Sequence, residues 1–250
     1  MKMVALIAAL ASASLALAAP ADIPPNIAAA VADPGRPQAD RDRDPDRRPA
    51  EVLAFAGVKP GATVVDFIPG GGYFTRIFSK AVGPSGHVYA IVPEELIKAF
   101  PKSGDAIKAL GADPAYANVT VLVEPVDAPS IPGLADLVWT AQNYHDLHDP
   151  FLGPADIGKV NHAVWTMLRP GGVYLVLDHV AEVGSGLRDT NTLHRIDPAA
   201  AKAEITAAGF VLAAKSDLLR NPADAHMLKV FDPTIRGRTD QFIFKFRKPR

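Results

Sequence analysis

Three features of this chain predict an α/β fold built on a mostly parallel, doubly wound sheet. From Thr63 onward, short apolar runs rich in β-branched residues alternate with amphipathic runs, the pattern of parallel strands covered by helices on both faces. The stretch Asp66-Phe67-Ile68-Pro69-Gly70-Gly71-Gly72-Tyr73 joins one apolar run to a helix-like run, so a strand ends in glycines and turns into a helix. The last run, Gln241 to Lys248, alternates apolar and polar residues and ends in basic ones, as an antiparallel strand with one exposed face should. No internal repeat is visible.

Lys2, the apolar run Val4 to Leu17 and the small residues Ala16-Leu17-Ala18 predict a secretory signal peptide over residues 1–19. The apolar run is shorter than the ~20 residues a membrane span needs. The mature chain is therefore expected in the periplasm or outside the cell, with no stable membrane insertion. Residues 20–47 are rich in Pro, Ala, Asp and Arg, and Asp40 to Arg48 alternates in sign, which predicts an extended or mobile lead-in that buries little.

Strands are expected at Thr63–Phe67, His87–Val92, Val119–Val123, Ala135–Thr140, Gly172–Asp178, Phe210–Ser216 and Gln241–Phe246. Helices are expected at Gly72–Val82, Glu94–Phe100, Ala106–Leu110, Gly153–Leu168 and Pro198–Ala208. The last of these has Asp197 as its cap, Pro198 at its first position and Gly209 just past its end. A chain of 250 residues with a net charge of -1 creates no global field that would attract nucleic acid or anionic lipid, and a small-molecule partner is the expectation. The absence of cysteine excludes disulfides, thiolate metal sites and a cysteine nucleophile.

The glycine stretch resembles the first motif of class I S-adenosylmethionine-dependent methyltransferases, an acidic residue at a strand end followed by spaced glycines. More narrowly, Gly57-Val58-Lys59-Pro60-Gly61 and Pro69-Gly70-Gly71-Gly72-Tyr73-Phe74-Thr75 resemble a family of bacterial predicted methyltransferases with a PGGGY-type loop. Leu168-Arg169-Pro170-Gly171-Gly172 and Leu193-His194-Arg195-Ile196-Asp197 are similar to elements of the same family. Ile68 departs from the general motif, which has its first glycine there. The resemblance implies a Rossmann-like seven-stranded sheet with an antiparallel last strand over residues 48–250, S-adenosylmethionine as cofactor, and an amino-terminal lid helix at Arg48 to Ala56. It implies methyl transfer to an O or N atom of a small-molecule acceptor.

In open α/β sheets ligands bind beyond the carboxyl ends of the strands. On that reading Asp66, Gly70, Gly71 and Gly72 would hold the cofactor. The resemblance puts a ribose acid after the second strand, where Val92 stands and Glu94 follows two residues later, and it offers Asp127 after the third strand for the adenine amino group. Past the fourth strand, Asn143 would hold a polar acceptor atom, Tyr144 would pack on the sulfonium, and a neutral His145 would serve as general base. His145 and His148 have HxxH spacing with Asp146 and Asp149 nearby, but such a spacing in a polar loop usually binds no metal, and none is expected. Asp178-His179 and His194 add candidates at the same edge, while Arg195 suits an ion pair with Asp197 or a loop acid. The competing expectation is an exported, non-catalytic protein that keeps a nucleoside or metabolite pocket. It draws on Ile68, on Val92 and on the uncertain supply of cofactor outside the cytoplasm. No Gly-x-Ser-x-Gly elbow supports a hydrolase.

Overall fold

A computed structural model describes residues 22–153 and 155–250, and the segment read as a signal peptide lies outside the described residues. The described residues begin with four helices, α1 (Pro25–Val31), α2 (Gln38–Arg41), α3 (Asp44–Arg47) and α4 (Pro49–Ala56). The chain continues through β1 (Thr63–Phe67), α5 (Tyr73–Val82), β2 (His87–Pro93), α6 (Glu94–Ala99), α7 (Asp105–Gly111), β3 (Val119–Glu124), β4 (Ala135–Ala141) and α8 (Ile157–Met167). It ends with β5 (Leu168–His179), α9 (Thr190–Leu193), α10 (Pro198–Ala207), β6 (Val211–Ser216) and β7 (Gln241–Arg247).

The seven strands form one sheet in the order β3-β2-β1-β4-β5-β7-β6. Pairs among β1 to β5 are parallel, and β7 runs antiparallel to both β5 and β6. Alternate residues of each strand feed two cores, as the two-residue period of a strand requires. Val64, Leu137 and Trp139 face one layer with Phe74, Ile77 and Phe78 of α5, and Val65, Phe67 and Val138 face the other with Val160 and Val164 of α8. Each such side chain contributes about 1.5–3 kcal/mol when fully buried. Trp139 anchors the first layer, its ring 4.7 Å from Phe74 and 5.2 Å from Phe78.

Two elements differ from expectation. α8 starts at Ile157, not Gly153, because Gly153 takes φ +59 and Asp156 caps the helix by accepting from the Lys159 N–H at 3.1 Å. β5 starts earlier, at Leu168, which pairs with Ala135 across a register shift. α10 has the expected ends: Asp197 accepts from the Ala199 N–H at 2.9 Å, Pro198 opens the helix, and Gly209 has φ +97.

The lead-in over residues 20–47 is corrected. Its described part, residues 22–47, is neither extended nor free of the domain but folds into α1, α2 and α3, which strap across α5. Ile27 and Ala30 are buried in the α5 core, and the Asn26 amide donates to the Ala81 carbonyl at 2.9 Å. The alternating charges stitch this strap rather than solvate it. Arg36 is fully buried, forms a two-point ion pair with Asp44 (2.7 and 2.8 Å) and donates to the Val31 carbonyl. Tyr73 donates its hydroxyl to the same carboxylate at 2.6 Å, and Arg76 reaches Asp40 at 3.0 Å. Paired this way, charges that would prevent burial are satisfied inside it.

The sheet order places β1 and β4 side by side, with the chain leaving them for opposite directions. This is the switch point where such sheets open a crevice.

Candidate active site

At the carboxyl end of β1, Ile68 adopts φ +60, a left-handed conformation that is costly for a β-branched residue. The departure at this position is one of side chain, not of backbone: isoleucine holds the shape that glycine takes freely. Strain of this kind costs about 1–3 kcal/mol and persists only where neighbours enforce it. Here the Ile68 N–H donates to the Ile91 carbonyl at 2.9 Å, and the Asn143 amide donates to the Ile68 carbonyl at 2.6 Å.

The three glycines that follow divide by role. Gly70 and Gly71 are exposed, and a Cβ on either would meet nothing within 4 Å. A Cβ on Gly72, at φ +83, would lie 2.7 Å from Leu110 Cδ1. Gly72 therefore lets α7 pack against the turn, while Gly70 and Gly71 present bare backbone beside open space at the amino end of α5.

Beneath the loop, Asp66 is buried and accepts from the Thr75 hydroxyl at 2.6 Å. Burial pushes its carboxyl up to about 7, against the Thr75 bond and the positive field of Arg47. Arg47, from the strap, lies over the rings of Tyr73 and Phe74, 4.6 and 5.5 Å from their centroids, and donates to the Gln142 side-chain carbonyl. Among the described residues no carboxylate lies within ion-pair distance of it. Desolvation and the neighbouring Arg43 lower its guanidinium to about 10. A partly buried cation without a counter-ion, on the edge of a crevice, suits an anionic ligand group. The resemblance implied a lid at Arg48 to Ala56. Instead α2 and α3 cover the start of α5, and α4 contributes Val52 and Leu53 to the core.

The loop after β4 brings corrections. Gln142 takes φ +63, its N–H donating to the Leu177 carbonyl at 2.7 Å. The carbonyl oxygen of the Asn143 side chain accepts from Thr140, and its amide is used on Ile68, so Asn143 braces the strained turn and does not hold an acceptor. Tyr144 does not face the crevice. It is fully buried in the layer under α8, its hydroxyl between the Asn161 amide (3.0 Å) and Glu204 (3.1 Å), because Tyr144 and Leu147 both turn into that core.

Of the three expected catalytic residues only His145 lines the cavity at the strand ends. It is not neutral. Burial lowers its pKa, but Asp178, 2.9 Å from Nδ1, and Asp146, 3.1 Å from Nε2, together raise it to about 10, so the expected base is a proton-loaded ring. His179 is the neutral imidazole of the site, lowered to about 3 by burial, with Nδ1 2.7 Å from the Thr239 hydroxyl. It lines the same cavity, of about 400 Å³, together with Arg47, Ile68, Gln142, His145 and His194. Leu96, Phe100, Phe151 and Leu152 form the apolar wall. A larger apolar cavity of about 850 Å³ lies between α10 and β6 and contains none of His145, Asp146 or His194.

His194 reaches this site because Val180 and Ile196 form a parallel bridge that lays its segment beside the end of β5. Arg195 next to it is structural, paired with Asp224 at 2.9 and 3.2 Å and not with Asp197, which serves as the α10 cap. His148 turns away to Glu204, at 3.2 Å, so the HxxH pair does not converge. β2 runs one residue further than expected, to Pro93, which makes Glu94 the first residue beyond it. Glu94 is partly exposed, pairs with Lys98 at 3.3 Å and is not among the residues lining the cavity. Asp127 pairs with Lys159 at 3.6 Å and lines a separate depression with Asp156 and His162 rather than this cavity. Arg47 and Gln142 were not expected from the sequence, since nothing in a run of alternating charges marks the one that lacks a partner.

No family profile matches the sequence. A protein-L-isoaspartate O-methyltransferase from Ignicoccus hospitalis is 36% identical over 127 residues, which is 51% of this chain and 52% of that protein. The chain thus spans about half the length of this curated relative. Among solved structures, a SAM-dependent methyltransferase from Aquifex aeolicus superposes with a TM-score of 0.59 at 19% identity, covering 85% of this chain and 98% of the other. The fold is that of a class I methyltransferase. Fibrillarin from Aeropyrum pernix, solved with natively bound S-adenosyl-L-methionine, shares it with a TM-score of 0.51 at 15% identity over 78% of this chain and 72% of its own.

Proposed function

We propose that this protein is an S-adenosylmethionine-dependent methyltransferase acting on a small acceptor. The observation that carries the reading is the turn at the end of β1: a left-handed Ile68 held in a glycine conformation, followed by bare backbone at Gly70 and Gly71 with open space beside it. The residues present fit the cofactor. Asp66 below the loop suits an ammonium, Arg47 and the amino end of α5 suit a carboxylate, and Glu94 just beyond β2 suits ribose hydroxyls. Ile68 and Val92 no longer argue for a non-catalytic pocket, since the first keeps the required backbone and the second lies inside β2.

When bound, S-adenosylmethionine supplies a methyl group on a sulfonium, which passes to an acceptor lone pair while the acceptor loses its proton. The chain orients the partners and excludes water, the strap covering one side and the apolar wall of Phe100, Phe151 and Leu152 another. His179 lines the cavity and has Nδ1 engaged with Thr239; a ring that donates from Nδ1 would keep Nε2 unprotonated and able to take the acceptor's proton. A cavity of about 400 Å³ accommodates a small molecule. The relative's name as an O-methyltransferase supports an oxygen acceptor.

The test is incubation with S-adenosylmethionine and a panel of small hydroxyl and amine compounds, with methylated product read by mass spectrometry. His179→Ala is expected to lower turnover by about 10-fold or more with cofactor affinity retained, less than a base tuned to neutral pH would contribute. A binding-competent protein that methylates no member of the panel under any condition would count against catalysis.

A further inference from the structure

We propose that His145, Asp146 and His194 form a binding site for a divalent transition-metal ion at the floor of the acceptor cavity. The three donor atoms all lie within 4.8 Å of one another. Asp146 Oδ1 is 3.1 Å from His145 Nε2 and 3.6 Å from His194 Nδ1. Ligands at about 2.1 Å from one metal stand about 3.0 Å apart along an octahedral edge and about 3.4 Å apart along a tetrahedral one. The observed separations of 3.1 and 3.6 Å exceed these values by about 0.1–0.2 Å. The longer one is a loose ion pair, too long for a good hydrogen bond, and a shared cation between the two side chains would account for the spacing as well.

The surroundings also suit a cation. Asp178 is fully buried and 2.9 Å from His145 Nδ1, which orients the ring and leaves Nε2 toward the cluster, the carboxylate–histidine arrangement that supports metal-bound imidazoles. The ion would take the place of the Nε2 proton that Asp146 holds in its absence, so binding releases a proton to solvent. Asp149 is fully buried, with Thr190 beside its carboxyl and His145, Asp146 and His194 in its field. A cation bound nearby would favour the ionised form of this carboxyl, which burial opposes. Two imidazoles and a carboxylate select first-row transition ions over calcium or magnesium. His145, Asp146 and His194 all border the cavity, so coordination positions remain open on the side where an acceptor would enter. Resting on the methyltransferase reading, the site favours acceptors that present an oxygen ligand, a hydroxyl or an adjacent pair of oxygens, over simple amines.

The test is titration of the full chain, stripped with chelator, with Co²⁺, followed by its visible d–d absorption and by calorimetry. One bound ion per chain is expected. His194→Ala and Asp146→Asn should each abolish the signal, and Asp178→Asn should weaken it about 10–100-fold. His148→Ala, outside the cluster, should leave it intact and show that HxxH spacing is not the origin. Circular dichroism of each variant separates lost ligation from lost folding. No Co²⁺ binding by the folded wild type, or binding unchanged in both His194→Ala and Asp146→Asn, would overturn the proposal. Cofactor affinity of the stripped protein is measured separately, so that failure of the methyltransferase reading and failure of the metal site are told apart.

Discussion

Replacing Asp66 with asparagine changes one atom type beneath the glycine loop and separates two effects. In the folded protein burial lifts this carboxyl from 3.8 to about 7. Between about pH 4 and about pH 7 the unfolded chain has released this proton while the folded chain retains it, so stability falls as pH rises through that window and stays lower above it. A rise of about three pH units at about 1.4 kcal/mol each makes the loss about 4 kcal/mol. The neutral amide of the variant carries no such cost and still accepts from the Thr75 hydroxyl. Urea unfolding at about pH 4 and about pH 8 should therefore show Asp66→Asn gaining about 4 kcal/mol on wild type between the two conditions, while its affinity for S-adenosylmethionine drops. Other carboxylates titrate alike in both proteins and cancel. Parallel stability profiles across the window would refute the buried, protonated Asp66.

Gly71→Val should leave the melting temperature nearly unchanged and abolish cofactor binding, because its side chain enters open space, whereas Gly72→Val should destabilise the fold against Leu110. A stable Gly72→Val variant would contradict the division of the loop. Arg47→Gln should weaken cofactor binding about 10–100-fold, the worth of a charge-assisted hydrogen bond, without loss of stability. Unaltered affinity would remove the strap from the ligand site. Mass spectrometry of protein from the native host should find an amino terminus near Ala19 or Pro20. Recovery of intact Met1 in the cytoplasm would refute export.

Strand positions were legible because each strand is an apolar run bounded by turn residues, and six of seven agree with expectation to within a residue at either end. β5 escaped this because Arg169-Pro170-Gly171 reads as a turn yet continues the extended chain. The positions of the glycine loop and of His145 at strand ends were legible; the chemistry of His145 was not, since its charge is set by Asp178 and Asp146. Asn143 and Tyr144 were not, since the face a loop residue presents is decided by distant partners, Ile68 for one and Asn161 with Glu204 for the other. The strap was misread for the same reason. Its charges find partners within it and on α5, and composition alone cannot distinguish paired charges from solvated ones.

Isothermal titration of the full chain with S-adenosylmethionine tests the central claim most directly. The account predicts a single site with a Kd well below ~1 mM, tighter above about pH 7 than below it because an ionised Asp66 faces the ammonium. Absence of binding by the folded protein at about pH 8, where Asp66 is ionised, would contradict it.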